Sequence, residues 1–186
     1  MRIISGKYRG KKIKYSNSLI TRPLRDIVRE NIFNLLTHGK KINVNIEKSN
    51  VLDLYAGVGS FGIECVSRNA NKVVFVERNQ ITFSILKENI ASLKQKENIS
   101  LIHSDISFFL KRNNHHLKFD IIFFDPPYQD DDYINYIKTL KDLDIVNKKH
   151  LIIIHREKSA KDEFKELINV LFIKRYGRSQ IIFGSF

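Results

Sequence analysis

The stretch Val51-Leu52-Asp53-Leu54-Tyr55-Ala56-Gly57-Val58-Gly59-Ser60-Phe61-Gly62 runs from an apolar segment into three glycines. Val51, Leu52, Leu54 and Tyr55 read as a buried strand, and Gly57, Gly59 and Gly62 fall where a tight turn opens into a helix. Such a turn suits a small ligand. Glycine tolerates positive φ and puts no Cβ between backbone and ligand, while the first N–H groups of the following helix stay free to donate.

The glycines alone match the dinucleotide pattern, and a segment from Lys72 to Val76 ends in Glu77, an acid placed for a ribose with two hydroxyls. Charge separates the possible ligands. Asp53 lies in the first strand, Asp105 follows a strand from Ile99 to His103, and Asp125 ends a strand from Phe119 to Phe124. These acids at the carboxyl ends of successive strands would repel a pyrophosphate. They suit a ligand carrying an ammonium and a sulfonium, as S-adenosylmethionine does.

Working outward, strands and helices alternate. Helices are expected after the glycine turn to about Arg68, from Gln80 to Leu93 with Ile81, Ile85, Ile90 and Leu93 on one side, over Ile106 to Leu110, and from Asp131 to Leu140. A fifth strand is expected from His150 to Ile154, then a helix from Ala160 to Ile168. This order predicts an α/β fold built on a doubly wound, mostly parallel sheet. Val170 to Tyr176 and Ser179 to Phe183, joined through Gly177-Arg178, break the alternation as an antiparallel hairpin able to close the sheet at its edge.

Towards the amino end, Thr21-Arg22-Pro23 opens a helix to about Thr37 with Leu24, Val28, Ile32 and Leu35 as its apolar stripe. Its arginines, Arg22, Arg25 and Arg29, are candidates to face a nucleic acid. A polar loop over His38 to Asn50 joins it to the main domain. Before it, Arg2 to Tyr15 alternates as a hairpin or extended arm whose turn carries Lys7, Tyr8, Arg9 and Lys11. Cations there would neutralise phosphates, and Tyr8 would stack on an unpaired base, worth about 1–3 kcal/mol per base.

The 186 residues fit a single domain (arm and helix over 1–37, core over 51–186), enough to bury roughly 70% of the unfolded surface. Lys and Arg number 32 against 20 Asp and Glu, a net charge of +12 that favours a polyanionic partner. No apolar run approaches the roughly 20 residues needed to cross a bilayer, so no membrane partner and a cytoplasmic location are expected. Cys65 is the one cysteine, which excludes an internal disulfide. No histidine pair has metal-ligand spacing, and no metal is predicted.

Asp125-Pro126-Pro127-Tyr128 carries the chemistry. Neither proline has an N–H, so the turn is rigid and rich in acceptors, with the Asp125 carboxylate and the Pro126 carbonyl both available to an amino group. Accepting both hydrogens of an aromatic amine favours a pyramidal nitrogen whose lone pair can attack a sulfonium methyl in line. Tyr128 would stack on the flipped base.

These residues, with RIISGKYRGKKI at the amino end, TRPLRDIVRENIFNLL, LDLYAGVGSFGIECVSRNA, VFVERN, FDPPY and the closing RYGRSQIIF, resemble the bacterial 16S ribosomal RNA guanine-N2 methyltransferases of the RsmD family. The resemblance implies a class I S-adenosylmethionine-dependent methyltransferase fold. It assigns Asp53, Ala56, Gly57 and Gly59 to the methionine end of the cofactor, Glu77 to its ribose hydroxyls, and Asp105 with Ile106 to its adenine, with Gly62 and Arg78 as further cofactor-binding residues. Asp125 to Tyr128 would hold a guanine of 16S rRNA, within the 30S subunit or an assembly intermediate, and the enzyme would act as a monomer. The chain departs from the family in two places: Leu24-Arg25 replaces the usual threonines, and Ile154 stands where Glu is usual, so neither His155 nor Glu157 receives a role. Competing readings are an adenine-N6 methyltransferase, which also uses DPPY but normally adds a recognition region, and an assembly factor without activity.

Overall fold

The computed structural model describes residues 1–15, 26–94, 96–112, 117–127, 129–160, 164 and 166–186. Its middle layer is a sheet of β1 (Asn50–Leu54), β2 (Lys72–Glu77), β3 (Ile99–His103), β4 (Phe119–Phe124), β5 (Val146–Glu157), β6 (Asn169–Tyr176) and β7 (Ser179–Ser185), in the order β3-β2-β1-β4-β5-β7-β6. β1 to β5 run parallel; β7 pairs antiparallel with both β5 and β6. The hairpin therefore folds back on itself, so that the later strand inserts between β5 and the earlier one.

Period-two alternation divides the core. Val51, Ile121, Phe123, Leu151, Ile153, Ile181 and Phe183 face one side, while Leu52, Leu54, Ile122, Phe124, Ile152, Ile154 and Ile182 face the other. α1 (Asp26–His38), α2 (Ser60–Ser67) and α3 (Gln80–Ala91) cover the first face; α4 (Ile106–Lys111) and α5 (Tyr133–Asp142) cover the second. Phe61 of α2 stacks between Phe33 of α1, at 5.1 Å between ring centroids, and Phe123 of β4, at 4.1 Å. Each such pair adds about 0.5–1.5 kcal/mol to the burial of its area.

Three elements differ from expectation. The described residues between 160 and 168 form no helix: the N–H groups of Leu167 and Ile168 both donate to the Phe164 carbonyl, a single turn that buries these three apolar residues beneath the sheet. β5 begins at Val146, because a register shift between Phe119 and Ile121 lets the polar residues 147–150 join the strand; their polarity hid it. On α3 the buried side is Thr82, Leu86, Asn89 and Ile90, and Ile81 is exposed. Two polar residues there are satisfied internally: Thr82 donates to Asn79, which caps the helix, and Asn89 exchanges hydrogen bonds with Lys14 and donates to the Val58 carbonyl. Among the described residues, no helix is long and apolar enough to cross a membrane.

The amino-terminal arm is part of the core. Arg2 and Lys12 form one antiparallel bridge, and Ile3, Tyr8 and Ile13 are buried among α1 and α2 residues. The N–H groups of Ile4 and Ser5 donate to the two oxygens of buried Glu64, at 2.7 and 2.9 Å, while Lys7 and Tyr8 donate to Ser67. Gly6 has a φ of 79°, and a Cβ there would lie 1.9 Å from the Ser67 carbonyl oxygen, so no other residue fits this approach.

Candidate active site

The turn between β1 and α2 is left-handed at alternate positions, Tyr55, Gly57 and Gly59. The conformation strains Tyr55, which has a Cβ; a positive φ at a bulky residue beside a strand end marks a locally over-determined site. The turn is tied to β2, since Ala56 N–H donates to the Val76 carbonyl and Gly57 N–H donates to Glu77 Oε2 at 2.8 Å. Glu77 Oε1 accepts from Asn79 N–H at 2.7 Å. Each oxygen keeps a further lone pair for a diol.

The three glycines serve different ends. A Cβ on Gly57 would meet only the Tyr55 carbonyl oxygen, at 3.9 Å, so this glycine is held by its positive φ rather than by crowding. A Cβ on Gly59 would meet Leu86 at 2.5 Å, and one on Gly62 would meet the Phe75 ring at 2.3 Å and Asp53 Oδ2 at 2.9 Å. Gly62 is thus a packing residue rather than a lining one, and its glycine lets α2 approach the sheet. Its N–H donates to Asp53 Oδ2 at 2.9 Å. Asp53 lies under the turn, 1% exposed. Burial pushes its carboxyl well above the usual range against the pull of the Gly62 N–H, and nearby Asp125 and Glu77 push the same way as burial. Among the described residues no cation acts on it.

Along the same edge, Asp105 caps α4 by accepting from Ser107 N–H at 2.8 Å, and Arg78 approaches its other oxygen at 3.6 Å. Partial burial opposes ionisation here, but the Ser107 hydrogen bonds and the Arg78 guanidinium outweigh it and hold this carboxyl below the usual range. The Ile106 side chain is buried on the sheet face covered by α4 and α5. Beyond β4, Asp125 N–H reaches back to the Leu54 carbonyl at 3.4 Å, which sets this acid beside the glycine turn. Pro126 and Pro127 follow; Tyr128 lies outside the described residues.

Two residues given no role in advance bear on this turn. His155 Nδ1 is 2.7 Å from Asp125 Oδ1, and its Nε2 is 3.0 Å from Ser179 Oγ. Arg156, fully inside, donates to the Pro127 carbonyl at 3.2 Å and lies over the Tyr133 ring at 4.5 Å. Neither belongs to a motif, so only the pairing of β4 with β5 reveals them.

Of the proposed nucleic-acid contacts, Lys7 and Arg9 are exposed at the arm's turn, and Lys11 bonds the Ser92 carbonyl. Tyr8 is buried, which removes its ring from base stacking. Arg29 points inward, 0% exposed, bound to Asp26 and to the Arg2 carbonyl, and so presents nothing to a partner. Arg22 and Arg25 lie outside the described residues.

A profile of the family described as conserved hypothetical protein 95 matches residues 1–185. The chain belongs to that family. A protein from Buchnera aphidicola (from Acyrthosiphon pisum) named ribosomal RNA small subunit methyltransferase D is 35% identical over 156 residues, 84% of this chain and 78% of its own. A protein of the same name from Haemophilus influenzae is 39% identical over 129 residues; the match spans 69% of this chain and 64% of that protein's length. The structure of a putative methyltransferase from Escherichia coli superposes with a TM-score of 0.82 at 28% identity, covering 99% of this chain and 96% of that one. The RsmD resemblance is thereby borne out, and so is the class I methyltransferase fold with its carboxyl-terminal antiparallel hairpin.

Proposed function

We propose that this protein transfers the methyl group of S-adenosylmethionine to the exocyclic N2 amine of a guanine in 16S rRNA, within the 30S subunit or an assembly intermediate. The observation that carries the reading is Asp125: an acid followed by two prolines, at the strand end next to the glycine turn and bonded by its own N–H to β1. A carboxylate in that place is an acceptor for an amine brought against the cofactor.

The uncrowded Gly57, the lone pairs left on Glu77 and the capped Asp105 fit the methionine, ribose and adenine parts of the cofactor in turn. A cationic ligand over the turn would favour the ionised form of Asp53, which burial otherwise disfavours. When bound, the cofactor supplies a methyl group on a positively charged sulfur. Asp125 and the Pro126 carbonyl accept the two amine hydrogens, which holds the nitrogen lone pair towards that methyl; the contribution is alignment and electrostatics. Asp125, or water, would take the proton that the amine gives up once it carries the methyl group. Lys7 and Arg9 on the exposed arm supply phosphate contacts. The ribosomal RNA methyltransferase names of the relatives support the substrate class.

The test gives the protein labelled S-adenosylmethionine with naked 16S RNA or with 30S subunits lacking the modification, then identifies the labelled nucleoside. N2-methylguanosine is expected; label in N6-methyladenosine, or none, refutes the reading. Asp125→Ala should keep cofactor affinity and lower kcat by about 100-fold or more. Equal loss of both would remove Asp125 from the amine.

A further inference from the structure

β4 and β5 run parallel with Phe124 beside Ile154, so the next rung sets Asp125 beside His155. Both side chains lie two residues beyond Phe123 and Ile153 and so on the same face of the sheet. The imidazole is 7% exposed and is held at both nitrogens, by Asp125 Oδ1 and by Ser179 Oγ. A carboxylate only accepts, so Nδ1 carries the hydrogen; in the neutral ring Nε2 is then the acceptor and the Ser179 hydroxyl the donor. Ser179 opens β7 opposite Glu157, which ties this chain of hydrogen bonds to the β5–β7 ladder. Arg156, the next residue, holds the Pro127 carbonyl. Two consecutive residues of β5 thus brace the turn after β4, one at its carboxylate and one at its backbone.

We infer that His155 is a positioning residue for the methyl transfer. It commits Asp125 Oδ1 to its own Nδ1–H, which stops rotation of the carboxyl group and leaves Oδ2 to the substrate amine. The Asp125 carboxylate selects the Nδ1–H tautomer, and the Ser179 hydroxyl, donating to Nε2, reinforces it. A carboxylate anchored at one oxygen presents a single acceptor direction, and catalysis by alignment depends on such restriction. A charge-assisted bond of 2.7 Å is of the strong kind. The inference rests on the proposed function and adds a residue that its motif does not contain.

Two experiments test it. Ring nitrogen NMR of ligand-free protein labelled in histidine should show Nδ1 protonated and Nε2 bare for His155; the opposite tautomer overturns the proposal without recourse to any substrate. On the RNA substrate, His155→Phe keeps the ring volume and removes the donor, while His155→Asn restores an N–H near the Nδ1 position. Cofactor Kd and RNA KM should stay within about two-fold in both, with kcat falling about 10- to 100-fold in H155F and recovering to within about five-fold of wild type in H155N. An H155F with wild-type kcat, or an H155N as slow as H155F, overturns the role. Should H155F fail to fold, Ser179→Ala decides: kcat should drop about 3- to 10-fold with a shift towards the Nε2–H tautomer, and no change in either overturns the proposal. A wild-type protein that labels no guanosine counts against the proposed function instead, and the tautomer measurement stands apart from that failure.

Discussion

Asp53 and Glu64 are both buried carboxylates on the same sheet face, yet they do opposite work. Glu64 is neutralised where it lies, by Arg68 at 2.9 Å and by two arm N–H groups. Among the described residues Asp53 has the Gly62 N–H alone, and burial drives its carboxyl well above the ordinary range. The fold therefore favours protonated Asp53: its contribution to stability is complete below the free-carboxylate range and is lost as pH rises through the raised native value. Asp53→Asn keeps an acceptor for Gly62 and removes the charge. Thermal melts of ligand-free protein should show D53N more stable than wild type by roughly 1–3 kcal/mol at about pH 8 and equal to it near about pH 4. S-adenosylmethionine affinity should fall in the same variant. A D53N that is less stable at high pH would mean that the buried charge is compensated.

At the scale of elements, the arm was legible as alternating sequence but its attachment was not. Glu64 sits in the apolar helix α2 and reads as a surface acid, whereas it is the socket that receives the backbone of Ile4 and Ser5. The same blindness applies to α1, whose inward side includes Arg29 along with Val28, Ile32, Phe33 and Leu36. A long cation, bound through Nη2 to Asp26 and the Arg2 carbonyl, occupies an interior position that periodicity assigns to an apolar residue. Glu64→Ala leaves Arg68 and two N–H groups without their acceptor, and should cost about 3–5 kcal/mol in chemical denaturation. A loss below about 1 kcal/mol would show the arm to be held by its apolar residues alone.

Across the whole molecule, the glycine turn after β1 and the Asp-Pro-Pro turn after β4 flank the point where strand order reverses, the usual crevice for a ligand in an open α/β sheet. The net charge of +12 gives the molecule a field that favours a polyanionic partner. Lys7, Arg9 and Lys11 are the part of that charge placed on a docked, well-defined turn. Replacing all three with Ala should leave the melting temperature nearly unchanged, weaken rRNA binding, and reduce the slope of log affinity against log salt by about 2 to 3. Unchanged affinity and slope would assign RNA binding to another surface.

The sequence by itself determined what depends on neighbours along the chain. Alternating apolar residues declare which strands are buried, Gly57 and Gly59 declare a turn, and two prolines after Asp125 declare a rigid strand end. These signals are local because φ preferences and side-chain periodicity are local. Tertiary structure decided the rest. It inserted β7 between β5 and β6, turned Gly62 from ligand contact to core packing, buried Tyr8 and Arg29, and set His155 against Asp125 across 30 residues of chain. Each of these is a contact between distant segments, fixed by strand register and by where a polar group can find a partner once water is excluded.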